Sequence, residues 1–287
     1  MSTRCIIFII ISTENILSIK NRVQKGIYSS SKDPIFERLI KPALLLECIA
    51  SENKAGGSGD MSFKIFSDLM SKNFNSISEF YQVEHSLKKV EEAVAIGYEG
   101  LVDNNLTGIS ISMGAGMCNI AVMYSGMTAL SFSVSRGGDW VDQNTAADTG
   151  VPVAKVTATK ENSNTLDLTK SQMSNIYEED SSEANVLIAL RSYYGALVNY
   201  LLTNLKHQFE NAEKVPQFQE PVPIVIGGGT SLVKGFMEVF MEQFNQDEFP
   251  IPVSEVKLIE DAHSAVSRGC LSEAQLIEED EGEESND

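Results

Sequence analysis

Two glycine-bearing turns, each behind a short apolar run, are the places where this sequence has the means to hold an anion. The first lies in Gly-Ile-Ser-Ile-Ser-Met-Gly-Ala-Gly-Met-Cys-Asn-Ile-Ala-Val, Gly108 to Val122, and the second in Ile-Val-Ile-Gly-Gly-Gly-Thr-Ser-Leu, Ile224 to Leu232. A strand that ends in small residues brings bare backbone N–H groups close to a phosphate, because no Cβ stands in the way. Two such turns are expected to grip one nucleotide from opposite sides. Taken singly, each also reads as a plain connection between elements. Gly114-Ala115-Gly116-Met117-Cys118-Asn119 lacks the third glycine of a dinucleotide fingerprint and leads into a strand, and no Gly-Lys-Ser/Thr run exists for a P-loop.

Other chemistry is poorly supplied. There is no Gly-x-Ser-x-Gly elbow, and His85, His207 and His263 stand apart from one another, as surface or hydrogen-bonded histidines do. The acidic pairs Glu91-Glu92 and Glu278-Glu279 belong to a solvated helix face and to the tail, so no paired-carboxylate site is expected. Cys5, Cys48, Cys118 and Cys270 form no CxxC pair, which argues against structural zinc and suits a reducing, cytoplasmic setting. A formal charge of −18 argues against a nucleic-acid or anionic-membrane surface. The longest apolar run, Cys5 to Ile11, is far short of the roughly 20 residues that span a bilayer.

The elements that must position the turns are read from periodicity. Ile6 to Ile11, Ser12-Thr13-Glu14-Asn15 and Ile16 to Ile19 read as strand, turn and strand, with loops at Ser29 to Pro34 and Lys54 to Asp60. Val83, Leu87, Val90, Val94 and Ala95 fall on one face of a helix from Val83 to Tyr98. Residues 108–113, 119–124 and 128–134 form a three-strand meander, after which Trp140 starts a helix. Val151 to Asp167 reads as irregular. From Ala184 to Phe209 a stripe of Val186, Leu190, Tyr193, Leu197, Leu201 and Leu205 marks a core helix. Strand Ile224 to Ile226 then leads through the second glycine turn into a helix from Leu232 to Phe244. A strand from Val253 to Ile259 and a helix from Ala262 to Leu276 follow. No Lys or Arg occurs after Arg268, and Glu278 to Asp287 reads as a disordered, solvating end.

Together these pieces resemble the ATPase domain shared by actin, the heat-shock chaperones and the bacterial actins. Residues 109–122 resemble that family's second phosphate loop, and Gly137-Gly138-Asp139-Trp140-Val141-Asp142 resembles the Gly-Gly-Asp that follows it. Residues 224–236, a strand, Gly-Gly-Gly-Thr and Leu-x-x-Gly-Phe, resemble the adenosine loop. Ala265-Val266 and Gly269 match the family's Ala-Val-x-x-Gly, and Phe8 to Ser18 can be laid on the first phosphate loop. The resemblance implies an α/β, two-lobed actin-like ATPase fold, with ribonuclease H-like mixed sheets flanked by helices and a reduced first lobe. It would divide the chain into a first lobe at 1–106 (phosphate-1 hairpin, linker and interlobe helix), a second lobe at 107–277 carrying the phosphate-2 and adenosine loops, and the acidic tail at 278–287.

In family terms Thr13 and Asn15 belong to the first phosphate loop, and Gly114, Ala115, Gly116 and Met117 lie under the β- and γ-phosphates. Gly138 lines the cleft, Gly227, Gly228, Gly229 and Thr230 face the α-phosphate and sugar, and Lys160 with Glu161 approaches the adenine. The implied cofactor is ATP or ADP with Mg²⁺, and the implied partners are nucleotide and further copies in a filament. The family's acids are missing, however: Ile10 and Ser112 stand at the two acid positions, Ser12 replaces the first glycine, and Asn119 replaces the later Asp. Loss of one preorganised electrostatic group typically costs about 10²–10³ in rate, so weak or absent hydrolysis is expected, with no catalytic or metal residue assigned. The resemblance thus implies an ATP-binding, actin-like or chaperone-like ATPase-domain protein, and the alternatives are a non-catalytic cytoskeletal, filament or interaction protein and a decayed fragment that binds no nucleotide.

Overall fold

The computed structural model describes residues 5–10, 85–162, 182–211, 216–262 and 264–284. It divides into two compact units, one of Met1–Glu91 with Ala274–Asp287 and one of Glu92–Glu273.

In the first unit, β1 (Cys5–Ile10) pairs in parallel with β2 (His85–Val90), in register from Cys5↔His85 to Ile10↔Val90. The helix expected over Val83 to Tyr98 is therefore two elements: β2, then helix α1 (Glu92–Gly100). Leu87 and Val90 fit a helical stripe by spacing alone, and the apolar β1 run overrides that spacing by taking the segment as its strand partner. Ser12 to Asn15, and the expected strand from Ile16 to Ile19, lie outside the described residues.

The second unit is built on a five-stranded mixed sheet of order β5-β4-β3-β6-β7. Strands β3 (Gly108–Met113), β4 (Cys118–Tyr124) and β5 (Met127–Val134) form the expected antiparallel meander. Its second turn is closed by Ser125 at φ 49° and Gly126 at φ 78°, the left-handed pair that a two-residue hairpin requires. Strand β6 (Val222–Gly227) runs parallel to β3, and β7 (Val253–Leu258) parallel to β6.

Alternation along β3 decides what covers each face. Ile109, Ile111 and Met113 enter the main core, whereas Ser110 faces α1 and donates to the Ala93 carbonyl at 2.6 Å. Small residues on α1 let it lie close: a Cβ on Gly97 would come within 2.1 Å of the Met123 sulfur. Gly269 does the same for α6 (Ala265–Glu284), where a Cβ would sit 1.7 Å from the Ala95 carbonyl oxygen. The Ala-Val-x-x-Gly pattern thus has a packing reason.

The other face is covered by α4 (Ser182–Asn211), whose Leu190, Tyr194, Leu197, Leu201 and Leu205 are fully buried. Among the described residues it is the one helix long and apolar enough to cross a membrane, and its apolar stripe packs in this core instead. Helices α2 (Gly138–Thr149) and α5 (Phe236–Phe244) flank it. Two further helical segments depart from expectation. Residues Val153–Glu161, read as irregular, form α3, which follows Pro152 at its N-terminal boundary. Helix α6 continues to Glu284, into the run expected to be disordered, since glutamate is a good helix former.

Candidate functional site

Because β3 and β6 are parallel neighbours inside the sheet, with Ser112 opposite Gly227, both glycine turns emerge at the same end of the strands. They leave adjacent strands side by side. The Gly114 carbonyl joins them: it accepts the Thr230 hydroxyl at 2.9 Å and the Gly138 N–H at 3.0 Å. Asp139 N–H donates to the Ala115 carbonyl at 2.8 Å, so the first turn of α2 is docked on the β3–β4 turn.

The glycines at this junction are of two kinds. A Cβ on Gly137 would fall 2.3 Å from the Gly114 carbonyl oxygen, and one on Gly138 would fall 2.6 Å from the Thr230 Oγ1. Gly228, at φ 94°, would press a Cβ to 2.5 Å from the Met113 carbonyl oxygen, and Gly227 would meet Ile96 at 2.9 Å. All four are crowded by neighbouring chain, by backbone at Gly137 and Gly228, by the Thr230 hydroxyl at Gly138, and least firmly at Gly227, where only the tip of the Ile96 side chain is met. Gly116 and Gly229 are different: a Cβ at either meets nothing within 4 Å, and neither has positive φ. Gly116 and Met117 are exposed at the tip of the first turn, closed by the Gly114 N–H to the Met117 carbonyl at 3.0 Å.

Behind the turns lies a buried polar cluster that sequence reading does not reveal. Lys160 Nζ donates to Asp142 Oδ2 at 2.7 Å, and Thr157 Oγ1 donates to the same oxygen at 2.8 Å. The pair is almost fully enclosed, with side-chain exposures of 11% and 3%. Lys160, expected with Glu161 near an adenine, thus ties α3 to α2. Its Nζ would lie 3.3 Å from a Cβ on Gly138, so the strut stands directly under the junction. Tyr194 donates to the Thr230 carbonyl at 3.2 Å. Burial, reinforced by the negative charge of Asp142 and then of Cys118, holds its phenol far above the ordinary range.

Three buried side-chain oxygens here have no hydrogen-bond partner: Ser112 Oγ, Asp142 Oδ1 and Thr145 Oγ1. Ser112 is the position where the family resemblance expects an acid. Asn119, opposite it in register, is bound by its neighbours: its Nδ2 donates to Glu92 Oε2 at 3.2 Å, and its Oδ1 accepts from Ser133 at 2.7 Å. Thr13 and Asn15, the other nucleotide candidates, and His263 lie outside the described residues. Among the described residues no group of three or more His, Cys, Asp or Glu side chains is placed to hold a metal ion.

The volactin family profile matches residues 79–274, more than half of the chain. The chain belongs to the volactin family. Solved structures place the fold further. The chain is similar to the MamK double helical filament, at TM-score 0.53 and 18% identity, over 87% of this chain and 78% of that one. It is also similar to MreB 5 of Spiroplasma citri bound to AMPPNP, at TM-score 0.51 and 15% identity, over 79% and 68%. A third likeness is to the ethanolamine utilization protein EutJ from Carboxydothermus hydrogenoformans, at TM-score 0.43 and 18% identity, over 68% of this chain. The chain spans 58% of the EutJ chain. Comparison with curated protein sequences gives no match. The fold is that of the actin-like ATPases.

Proposed function

We propose that this protein binds an adenine nucleotide at the junction of the two glycine turns and hydrolyses it weakly or not at all. The observation that carries the reading is the open space over Gly116 and Gly229. A glycine that neither packing nor φ demands, at the tip of a turn, fits a position kept bare for a ligand. The terminal phosphates take the N–H groups of the Gly114–Met117 turn, and the nucleoside side lies along Gly227 to Thr230, with Gly138 between them. The nucleotide named for the MreB 5 neighbour supports this chemistry.

The residues present suit the phosphates better than the metal. Backbone N–H groups survive any side-chain change, but Ser112 offers a hydroxyl where a carboxylate would hold hydrated Mg²⁺, and the neighbouring acid Asp142 is already paired with Lys160. Any Mg²⁺ would therefore arrive with the phosphates and water as its ligands. Self-association into filaments is the second part of the reading, favoured by the likeness to MamK in its filament.

The test is to titrate Mg-ATP while recording melting temperature and phosphate release. Stabilisation of about 2.7 kcal/mol is expected at a hundredfold excess over Kd, with phosphate release near a no-protein blank. Gly116→Val and Gly229→Val should melt where the parent does and lose the nucleotide-dependent rise. A melting temperature unmoved by millimolar Mg-ATP would sink the proposal, and rapid phosphate release would refute its second half.

A further inference from the structure

Away from the glycine turns, α4 and α5 enclose an open groove of about 840 Å³, lined by Arg136, Arg191, Gly195, Asn199, Glu242 and Gln243 among others. Its cations are held in place. The Arg136 guanidinium lies 4.7 Å from the Trp140 ring centroid and 3.9 Å from that of Tyr200, and no carboxylate of the described residues pairs with it. With its faces against aromatic rings, a guanidinium keeps its N–H edge for an anion. Arg191 gives both of its bonds to Glu242 from Nη2, at 2.8 and 2.7 Å, and its buried Nη1 has no partner.

The groove also contains a glycine that the fold does not need. Gly195 sits in the interior of a 30-residue helix, where glycine costs about 0.5–1 kcal/mol relative to alanine. A Cβ there would meet only the Gln243 side chain, at 3.6 Å, an ordinary contact. The bare position leaves backbone accessible beside the two arginines.

We propose that this groove receives the acidic C-terminal run of a second copy, Glu278 to Asp287. Seven of those ten residues are acidic and none is basic, and their backbone is helical to Glu284. In a chain with a net charge of −18, two copies repel through most of their surfaces. Pairing tail carboxylates with the free edge of Arg136, while Glu242 of the same groove neutralises Arg191, brings them together with opposite charges facing, and Gly195 allows a helical segment to lie close.

Trp140 is the one tryptophan of the sequence and touches Arg136, so its fluorescence reports on the groove. The receptor is the full chain carrying Glu278→Gln, Glu279→Gln, Asp280→Asn and Glu281→Gln, and the ligand is a synthetic peptide of residues 274–287. A saturable change in Trp140 emission is expected. Arg136→Gln and Gly195→Leu, introduced separately, should each weaken it about tenfold or more, as should a rise in salt across the screening range. A peptide of the same composition in scrambled order should bind more weakly. On dilution, the unsubstituted chain should pass from the peptide-bound to the free emission. No emission change at millimolar peptide, or Gly195→Leu binding as the parent does, overturns the groove. Equal binding of the scrambled peptide overturns the tail as its specific occupant, and an emission independent of chain concentration overturns the second copy.

Discussion

Removing the Lys160 charge is the sharpest test of how the site is supported. In Lys160→Met the Asp142 carboxylate would remain at 3% side-chain exposure with one donor, Thr157, and with its second oxygen still unpartnered. Breaking a buried pair by removing one partner costs about 3–5 kcal/mol, a large share of the about 5–15 kcal/mol by which domains are stable. With a urea slope of about 3 kcal/mol/M, the midpoint should fall by about 1–1.7 M at unchanged slope. The double variant Asp142→Asn/Lys160→Met removes the stranded charge and should recover much of the loss, so that the two substitutions are far from additive. The Lys160 variant, assayed below its melting point, should still be stabilised by Mg-ATP, because Lys160 acts here through Asp142. The reasoning is refuted if Lys160→Met shifts the midpoint by less than about 0.3 M, or if the double variant equals the sum of the singles.

Three other outcomes follow from the same geometry. Gly228→Ala should cost several kcal/mol, because it combines φ 94° with a Cβ 2.5 Å from a carbonyl oxygen, while Gly229→Ala should raise the urea midpoint slightly, by the about 0.4–1 kcal/mol of a stiffer unfolded chain. Leu197→Ala, at a fully buried position of the α4 stripe, should cost about 2–5 kcal/mol in the same assay. Burial first, and then the charge of Glu273, pushes the Cys270 thiol up to about 12 from 9.0. The folded state therefore keeps a proton that the unfolded chain gives up, and stability present below pH 9 is lost as pH rises toward 12. Unfolding free energies measured across that range should fall more steeply for the parent than for Cys270→Ala, and parallel curves would contradict the assignment.

What was legible in the sequence follows the strength of the periodic signal. The meander of β3 to β5 is readable from short apolar and β-branched runs separated by glycine turns, and the α4 helix from an apolar stripe at helical spacing, although the aromatic it buries is Tyr194 and Tyr193 stays half-buried. The α3 segment, Val-Ala-Lys-Val-Thr-Ala-Thr-Lys-Glu, buries only Val156 and Lys160, so it has no stripe to read. Strand β2 reads as helix in the sequence because Leu87, Val90 and Val94 keep helical spacing across the boundary at Glu91. Only pairing with β1, some eighty residues away by its register of Cys5 with His85, decides otherwise. The Asp142–Lys160 pair joins two separate helices and leaves no local pattern.

The site was legible as a set of glycines but not as a division of labour among them. Sequence gives Gly114, Gly116, Gly137, Gly138, Gly227, Gly228 and Gly229 the same letter, and the family resemblance assigns most of them to the nucleotide. The structure separates them by what a methyl group would strike. Gly137, Gly138, Gly227 and Gly228 answer to backbone or side chains within 3 Å, so crowding in the fold bears on all four even if nothing is ever bound, most firmly where backbone is struck at Gly137 and Gly228. Gly116 and Gly229 answer to nothing within 4 Å. A protein that only kept the fold would be free to place alanine at both and would gain about 0.4–1 kcal/mol at each from a stiffer unfolded chain. Substitutions at the crowded four report on folding whatever the function is, and only the open two discriminate between a working cradle and a relic of one. If Gly116→Ala and Gly229→Ala together raise the melting temperature of the unliganded protein while weakening its response to Mg-ATP, the glycines are there for the ligand. If the response is unchanged even in the valine variants, the turns are ordinary connections and the nucleotide reading fails with them.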